Sequence, residues 1–427
     1  MYAVGIDIGT TGICGVLVNS QTGEIEKTLS AANDSFIKSE HPWEKIQDTD
    51  IIIEKATAIL GALTELADVK AIGISNQMHG IVYTDINGAA VSPLYIWQDE
   101  RGNLPYRDGK SYAEYLNSFS GYGLVTDFYN RVNGLVPENA VCACTVGDLF
   151  AMKICSQNKP IMHITNAASF GCFDITDNRF TLDNGILPEV AQDFVTVGEY
   201  KGAQVVCAVG DNQASFIGSV DGDMPLINVG TGSQISYLSS AAVAGENVET
   251  RPFDGGRYLI VGSSLCGGRA FAMLERFFAS VVEMATGEKC ESLYPQMDKL
   301  LAEKLTTDMT ADSRFCGTRA NPSARGSFSD ISQDNFTAGD MTVALLYSIA
   351  NELYGMYSGG KTDFAVCSGN GIRKNPALQR IAAEVFDTKI KIPLYREEAA
   401  YGAALTALYS SGEFESIDEA RKLIIYK

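Results

Sequence analysis

The chain has 427 residues, of which 46% are hydrophobic and 20% charged, with only 12 prolines, a composition typical of a folded protein. Its formal net charge is −19, so it lacks the basic surplus that binding to nucleic acid or to an anionic membrane requires, and we expect neither partner. At about 150 residues per domain, the length predicts two or three domains.

The cysteines and histidines exclude several kinds of site. None of the ten cysteines has the C-x-x-C spacing of zinc sites, so we expect scattered free thiols. Three histidines make a histidine-rich metal centre or a Ser-His-Asp triad hard to assemble, which leaves carboxylates as the expected catalytic groups. The N-terminal segment lacks a basic region and no apolar run reaches 18 residues, which predicts a cytoplasmic protein.

The first elements form a recognisable unit. An apolar strand, Tyr2–Ile8, precedes the turn Gly9-Thr10-Thr11-Gly12 and a second strand over residues 13–19. Residues 50–66 then have helical periodicity behind a cap at Asp48 or Asp50, and residues 70–74 are predicted as a buried strand. The sequence therefore predicts a β-hairpin followed by alternating helix and strand.

The same unit returns half-way along the chain. Residues 225–229 lead into Gly230-Thr231-Gly232-Ser233 and a strand over 234–238. Further helices and strands alternate at 341–357, 364–367, 376–386 and 397–409. The repeat predicts two similar α/β domains, 1–219 and 220–427, divided where Gly and Asp cluster at 218–223.

Residues 355–362 match the phosphate-binding P-loop pattern G-x-x-x-x-G-K-T, ending in Lys361 and Thr362. A P-loop follows a strand and opens a helix, whereas this segment follows a predicted helix and leads into a strand. We therefore interpret it as a glycine-rich helix end, and keep a P-loop NTPase as an alternative in which Lys361 is essential.

The two Gly/Thr hairpins are better candidates for binding phosphate, because their backbone N–H groups and hydroxyls are unshielded by bulky side chains. Asp7 lies in the first strand with its carboxylate at the mouth of the hairpin, where it could hold a hydrated Mg²⁺ beside a nucleotide. A single Gly/Thr hairpin is usually only a turn. Two copies in register, one with an aspartate, favour the functional interpretation.

Polar groups at other strand ends predict the rest of a site. Asp211, in the segment Gly210-Asp211-Asn212-Gln213, is placed as a general base or as the N-cap of the next helix. Residues 75–80 (SNQMHG) and 97–101 (WQDER) carry groups of the kind that hydrogen-bond to sugar hydroxyls. The alternative is that both segments are loops whose polar groups hydrogen-bond to one another. The glycine-rich turn at 368–376 could admit adenine or phosphate, although its spacing is not G-x-G-x-x-G.

Taken in order, the motifs GIDIGTTG, SNQMHG, WQDER, GDNQAS, INVGTGS, NPSARGSF and CSGNGIRKN resemble those of the FGGY family of carbohydrate kinases, over about residues 3–405. The resemblance implies the actin-like ATPase (ribonuclease H-like) α/β fold, duplicated into a sugar-binding and a nucleotide-binding domain with a cleft between them. It also implies ATP and Mg²⁺, and a small-molecule sugar as substrate.

The resemblance assigns roles residue by residue. Asp211 takes the place of the catalytic base and, with Asp7, of the metal-associated carboxylates. The sugar-binding positions are Gln77, Met78, His79, Asp99, Arg101 and Asn212. The ATP-binding positions are Thr10, Thr11, Gly230, Thr231, Gly369, Asn370, Gly371 and Asn375. Asn370 stands where many members have glycine, which puts the nucleotide fit in question.

Within the family, SNQMHG is shared by xylulokinases and sedoheptulokinases. Residues 165–170 and 264–268 are more similar to sedoheptulokinases, which favours phosphorylation of sedoheptulose at its 7-position, with xylulose or another sugar or polyol as the alternative. A non-catalytic sugar or nucleotide sensor on the same fold is the alternative from a different class. The resemblance leaves a homodimer open.

Overall fold

The computed structural model describes residues 1–427 and divides them into two compact units. The first unit consists of Met1–Gly222, Arg251–Gly256 and Glu397–Ile425, and the second of Asp223–Thr250, Arg257–Arg396 and Tyr426–Lys427. All ten cysteines are free thiols, as predicted. Among the helices, none combines the length and the apolar character that crossing a membrane requires.

Thirteen α-helices are present. They are α1 Thr49–Thr64, α2 Tyr112–Tyr115, α3 Gly123–Val132, α4 Val146–Ile154, α5 Ile164–Phe170, α6 Asp211–Ser219, α7 Gly268–Thr286, α8 Tyr294–Glu303, α9 Ala338–Gly355, α10 Asn370–Arg373, α11 Pro376–Val385, α12 Glu398–Ser410 and α13 Ile417–Arg421. The predicted helices correspond to α1, α9, α11 and α12. Asp48 is the cap of α1, because its carboxylate accepts hydrogen bonds from the Asp50 and Ile51 amides.

The first unit is built on a seven-stranded sheet. Its strands are β1 Tyr2–Ile8, β2 Gly12–Asn19, β3 Ile25–Ala32, β4 Val69–Asn76, β5 Thr196–Tyr200, β6 Ala203–Val206 and β7 Val209–Gly210. The order is β5-β6-β4-β1-β2-β3, and β7 also pairs with β4. The pairs β1–β2 and β2–β3 are antiparallel, whereas β4 runs parallel to β1 and to β6. Cys207 and Ala208 separate β6 from β7, and both strands pair with β4.

The second unit has a six-stranded sheet. Its strands are β8 Leu226–Val229, β9 Ser233–Ser239, β10 Val248–Pro252, β11 Tyr258–Ser264, β12 Phe364–Ser368 and β13 Lys389–Lys391, in the order β10-β11-β9-β8-β12-β13. The strand order β11-β9-β8-β12-β13 repeats the order β3-β2-β1-β4-β6 of the first sheet. In the second sheet, three antiparallel strands are followed by two strands that run parallel to β8, the first strand of the hairpin. The predicted duplicated α/β fold is confirmed.

Shorter pieces complete the fold. The short strands are Phe36–Ile37, Ile46–Gln47, Val82–Thr84, Leu94–Tyr95, Pro105–Arg107, Lys110–Ser111, Cys142–Cys144, Ile161–His163, Phe173–Asp174, Arg179–Phe180, Glu189–Ala191, Thr310–Asp312 and Ser327–Ser329, and Arg101–Asn103 is a 3₁₀ helix. Residues 355–362 run from the end of α9 to β12, and Lys361 pairs with Asp387 at the surface. This context is not that of a P-loop, as the sequence indicated.

The sequence-based boundary at 219/220 assigns the last two helices to the second domain. In the structure, α12 packs within the first unit. It lies on β1 and β4, where a Cβ at Gly5 or Gly73 would collide with the backbone of α12. Gly402 of α12 lies equally close to the backbone of α6. Glycine and alanine permit this approach of backbone to backbone, so the alanine-rich C-terminal helix completes the core of the sheet that begins the chain.

Candidate active site

The first hairpin carries Asp7 at its mouth. Asp7 faces Ser75 across the parallel pair β1–β4, and the Ser75 hydroxyl donates a 2.7 Å hydrogen bond to its carboxylate. Burial raises the pKa of Asp7, and the bond from Ser75 partly opposes this. The turn is closed by the Gly9 amide, which donates to the Gly12 carbonyl at 2.9 Å, while the Thr10 and Thr11 amides have no acceptor within the protein. Two free amides in one turn are available as donors to an anion.

A ring of hydrogen bonds fixes Thr10 within the turn of the first hairpin. Its hydroxyl donates to Gln77 Oε1 at 3.0 Å, Gln77 Nε2 donates to Gln47 Oε1 at 2.9 Å, and Gln47 Nε2 returns to the Thr10 carbonyl at 2.8 Å. The indole of Trp97 donates to the Thr10 hydroxyl at 2.9 Å, with 47% of the Trp97 side chain exposed. A predicted sugar-binding residue, Gln77, is thereby tied to a predicted phosphate-binding one.

Asp211 is the first residue of α6, and the helix cap is Gly210. The carboxylate therefore does not cap the helix, which removes the structural alternative for this residue. Burial and the nearby charge of Asp7 raise the pKa of Asp211 to about 7, against the opposing charge of Arg251 and a hydrogen bond from the Asn212 amide. A partly buried carboxyl group that ionises near neutral pH is suited to general base catalysis.

Met78 and His79 follow the end of β4, and Met78 packs on Gly210, the residue before Asp211. Met78 is buried against Gly210, where a Cβ would come within 3.0 Å of its Sδ, and Arg251 Nη1 approaches the same sulfur at 3.4 Å. His79 has a left-handed backbone, with φ 75°. Its Nδ1 lies 2.8 Å from the Ser169 carbonyl, and its ring stacks on Tyr122 at 4.3 Å. Such fixed, strained conformations are characteristic of functional sites.

The segment 165–170 supports this region from behind. Thr165 Oγ1 accepts a hydrogen bond from the Gly210 amide at 3.1 Å, and Asn166 Nδ2 donates to both Asn76 Oδ1 and the Ala208 carbonyl. Helix α5 therefore fixes the strand ends that carry the SNQMHG and GDNQAS motifs. Asn212 is partly buried beside Asp211 on α6, as the motif predicts.

Asp99 and Arg101 form a buried ion pair. Each is 1% exposed, and Arg101 Nε lies 2.7 Å from Asp99 Oδ1. The guanidinium also donates to Asn130 and Glu44 and lies over the ring of Tyr95 at 4.3 Å. Asp99 in turn accepts from the Lys45 amide. Neither side chain is open to a ligand in this structure, so a direct sugar contact would require this cluster to open.

In the second unit, Gly230 and Thr231 form the tip of the other hairpin. The Gly230 amide donates to the Gly232 carbonyl at 2.9 Å, which reproduces the closure of the first turn. The amides of Gly268 and Arg269, at the start of α7, donate to the carbonyls of Gly230 and Thr231. A cavity of about 320 Å³ is lined by this hairpin, and the buried Ser233 hydroxyl that borders it has no partner. Unpaired donors around a cavity favour a polar ligand.

Arg319 lines the same cavity and pairs with Glu249. It is a cation that the sequence pattern did not associate with the hairpin.

The turn predicted to bind adenosine packs on the end of β8. A Cβ on Gly369 or Gly371 would come within about 2.7 Å of the Val229 carbonyl, and Gly369 has φ 82°. Asn370 begins the short helix α10 between them. Asn375 caps α11, since its side chain accepts from the Leu378 amide at 2.9 Å. Gly369, Asn370 and Gly371 therefore lie next to the hairpin. The side-chain oxygen of Asn375, Oδ1, is occupied in capping α11.

Asp7 and Asp211 fit a divalent cation through their oxygens, the ligand type that Mg²⁺ prefers. They are close enough for the charge of Asp7 to raise the pKa of Asp211, and a cation would relieve this repulsion. The structure contains no group of three or more His, Cys, Asp or Glu side chains that could hold an ion. The remaining ligands would have to be water and phosphate oxygens.

Several residues of the site were not predicted. Gln47, Ser169, Tyr122 and Arg251 come from segments without a glycine-rich or carboxylate motif, so nothing local to them indicates their positions. Ser75 could have been found, because it stands opposite Asp7 when the ends of two parallel strands are aligned.

Comparison with protein families decides the identity of this arrangement. Residues 2–126 match the N-terminal domain, and residues 226–411 the C-terminal domain, of the FGGY family of carbohydrate kinases. The chain belongs to this family. This FGGY kinase is accordingly a phosphotransferase that acts on a sugar with a nucleotide as the second substrate.

The relatives of this FGGY kinase include sedoheptulokinase from Mus musculus, 26% identical over 95% of this chain and 97% of the relative. A xylulose kinase from Staphylococcus epidermidis is 24% identical over 99% of this chain and 90% of the relative. Among solved structures, a gluconate kinase from Lactobacillus acidophilus superposes with a TM-score of 0.84 at 19% identity, covering 100% of this chain and 92% of the other. That structural likeness concerns the fold alone.

Proposed function

We propose that this FGGY kinase transfers the γ-phosphoryl group of ATP to a primary hydroxyl of a ketose, with sedoheptulose as the substrate and sedoheptulose 7-phosphate as the product. The sedoheptulokinases of mouse and human support this choice, because they match almost the whole chain. The motif at 165–170, which fixes Asn76 and Gly210, supports the same assignment. Xylulose is the second candidate, supported by the xylulose kinases among the relatives.

The reaction rests on the carboxylate of Asp211, which does not cap its helix. In the proposal its oxygen takes the proton of the sugar hydroxyl as that oxygen attacks the γ-phosphorus. Its raised pKa makes it a stronger base than an ordinary carboxylate, and with a pKa of about 7 a substantial fraction is ionised at neutral pH. Met78, His79 and Asn212 would position the ketose. Asp99 and Arg101 would stabilise this region without touching the sugar.

The nucleotide would be held mainly by neutral groups. Each unit by itself offers such groups. In the first unit, Thr10 and Thr11 offer hydrogen-bond donors to phosphate oxygens. In the second unit, Thr231 and the Ser233 hydroxyl offer donors, and Gly230 would let a phosphate approach the backbone. Asp7 and Asp211 would hold Mg²⁺, whose chemistry is to neutralise phosphate charge during transfer. Gly369, Asn370 and Gly371 would lie against the adenosine. Positioning and charge stabilisation, rather than covalent catalysis, carry such reactions.

The identity of the sugar is tested by a panel in a coupled assay for ADP release. Sedoheptulose, D-xylulose, D-gluconate and glycerol are compared by kcat/KM, and the product is located by ³¹P NMR. We expect sedoheptulose to have the highest kcat/KM and to be phosphorylated at its terminal primary hydroxyl. A higher value for xylulose would replace sedoheptulose as the substrate. Sugar binding in calorimetry without ADP release from any sugar would identify a sensor instead.

The assignment of the base is tested by Asp211→Asn, which removes the charge at nearly constant volume. Because general base catalysis contributes about 10²- to 10⁴-fold, we expect kcat to fall by at least about 100-fold with the fold intact. Asp68→Asn, at an exposed carboxylate of the same unit, is the matched control and should leave kcat unchanged. A loss of less than about tenfold, or about 1.4 kcal/mol, in Asp211→Asn would exclude Asp211 as the base.

A further inference from the structure

Helix α7 has an apolar face that the rest of the second unit does not cover. Phe277, Val281 and Met284 follow one another at intervals of four and three residues, the spacing that places side chains on one face of a helix. They are 51%, 41% and 80% exposed. No other helix of the protein carries more than one exposed large hydrophobic side chain. A continuous apolar row of this kind marks a surface that meets another molecule.

The opposite face of α7 already packs on its own unit. Ala270 and Leu274 are buried in the core of the second unit, and Phe278 packs against the same core. The ring of Phe271 stacks on that of Tyr294 at 5.8 Å. The inner face therefore anchors the helix, and the apolar character of the outer face is not needed to hold it in place.

The outer face has the spacing of a coiled coil. Met273, Phe277, Ser280 and Met284 are separated by four, three and four residues, which is the alternation of the a and d positions of a heptad. The a positions are Phe277 and Met284. This pattern fits a second α-helix lying along α7 at a small crossing angle.

Two charged residues on one flank of this face indicate what the second helix is. Arg276 and Glu283 stand at the g positions, seven residues apart. Both are exposed, and neither forms an ion pair within the chain. A two-fold axis that sets two identical helices antiparallel brings the g positions of one opposite the g positions of the other. Arg276 of each copy then meets Glu283 of the other copy.

A parallel arrangement lacks this complementarity. The g positions of a parallel pair face the e positions of the neighbouring helix. The e positions of α7 are Leu274 and Val281, which carry no charge, and Leu274 is buried within its own unit. The charges of the face are thus neutralised by an antiparallel second copy and not by a parallel one.

We propose that two copies of this chain associate through the outer face of α7, antiparallel about a two-fold axis, with the Arg276–Glu283 pair formed twice. The apolar side chains of the face pack in the centre, and the two ion pairs set the orientation. One pair of helices buries less than the standard interface of about 800 Å² per partner, so we expect a reversible dimer with a dissociation constant in the micromolar range. The association does not depend on the proposed catalytic function.

The orientation is tested by exchanging charges in the full chain and measuring its mass by sedimentation equilibrium at increasing concentration. We expect the unmodified chain to approach twice its 45.9 kDa. Arg276→Glu and Glu283→Arg each place like charges opposite one another at both pairs, and each should raise the dissociation constant at least about fivefold. The double variant restores opposite charges and should dimerise as the unmodified chain does. If it dimerises no better than the single variants, the antiparallel pairing is wrong.

The surface itself is tested by Met284→Lys, which places an ammonium group within the apolar contact and should raise the dissociation constant at least about tenfold. Ile331→Lys is the matched control, because Ile331 is 49% exposed elsewhere in the same unit, and it should leave dimerisation unchanged. An unmodified chain that remains a monomer up to about 100 µM would overturn the proposal. A dimer that Met284→Lys does not weaken would also overturn it, because the copies would then associate through another surface.

Discussion

Asp211 is surrounded by groups that act on its ionisation in opposite directions. Burial and the negative charge of Asp7 disfavour its ionised form, whereas Arg251 and the Asn212 amide favour it. Burial is the largest of these influences, and the net result is a pKa of about 7. A base must be ionised to accept a proton, so if Asp211 acts as the proposed base we expect activity to begin close to neutral pH.

The pH dependence of kcat/KM for the nucleotide should report this ionisation in the unliganded enzyme. We expect a plateau above pH 7 and a fall approaching tenfold per pH unit below it, because the protonated carboxyl group cannot act as a base. Arg251→Gln removes a charge that lowers the pKa, so its acid limb should move to higher pH. Arg251→Lys, which retains the charge, should leave the limb near that of the unmodified enzyme. An acid limb that moves to lower pH in Arg251→Gln would contradict this assignment.

Sequence alone locates the parts of the site whose chemistry is local. The Gly/Thr turns identify both hairpins, and the strand ends identify Asp7 and Asp211, because each property is set by neighbouring residues. The environment of Asp211 was not predictable, since Arg251 reaches it from a distant segment. The same holds for Asp99 and Arg101, whose burial depends on packing against Tyr95 and Asn130.

At the scale of elements, the two hairpins repeat one design, but the helices that cover them could not be assigned in advance. The pattern of α12 predicts a helix and says little about its neighbours, because nine of its residues are buried and no polar face is evident. Its place is fixed by glycines on the facing strands, Gly5 and Gly73, which are 325 or more residues away in sequence. Contacts over such separations leave no local signal.

The close packing of α12 makes Gly73 sensitive to substitution. Gly73→Ala would place a Cβ against the Ala403 backbone in the centre of the first unit. We expect the free energy of unfolding to fall by about 3 kcal/mol, measured by urea denaturation. Gly360→Ala introduces the same methyl group where no atom lies within 4 Å and should change stability by less than about 0.5 kcal/mol. Equal stability of the two variants would show that α12 does not press on β4 as described.

At the scale of the whole molecule, the halves of the sequence and the compact units do not coincide. Glu397–Ile425 belongs to the first unit, although residues 226–411 match the family's C-terminal domain. The protein has a net charge of −19, and the donors at both hairpins are neutral. The two facts are compatible with phosphate binding, because amides and hydroxyls can bind phosphate without a basic patch.

A chain ending at Arg396 tests the role of the C-terminal segment. It lacks α12 and α13, so the face of β1 and β4 that α12 covers would be exposed. We expect hydrogen exchange of the β1 and β4 amides to lose protection, while the β8, β9 and β12 amides remain protected. Removal of Tyr426 and Lys427 alone should leave β1 and β4 protected, since these residues belong to the second unit. Retained protection of β1 in the shorter chain would contradict the assignment of α12.

The position of α12 also sets the order in which the protein can be completed on the ribosome. The helix that covers strand β1 is made roughly 400 residues after it, which at 5–20 residues per second means roughly 20 to 80 s. The segment 257–396 of the second unit is finished before α12 exists. Throughout that interval the nascent first unit exposes an apolar sheet face, the kind of surface that chaperones bind. Its final folding step therefore follows the synthesis of the segment 257–396, which belongs to the second unit.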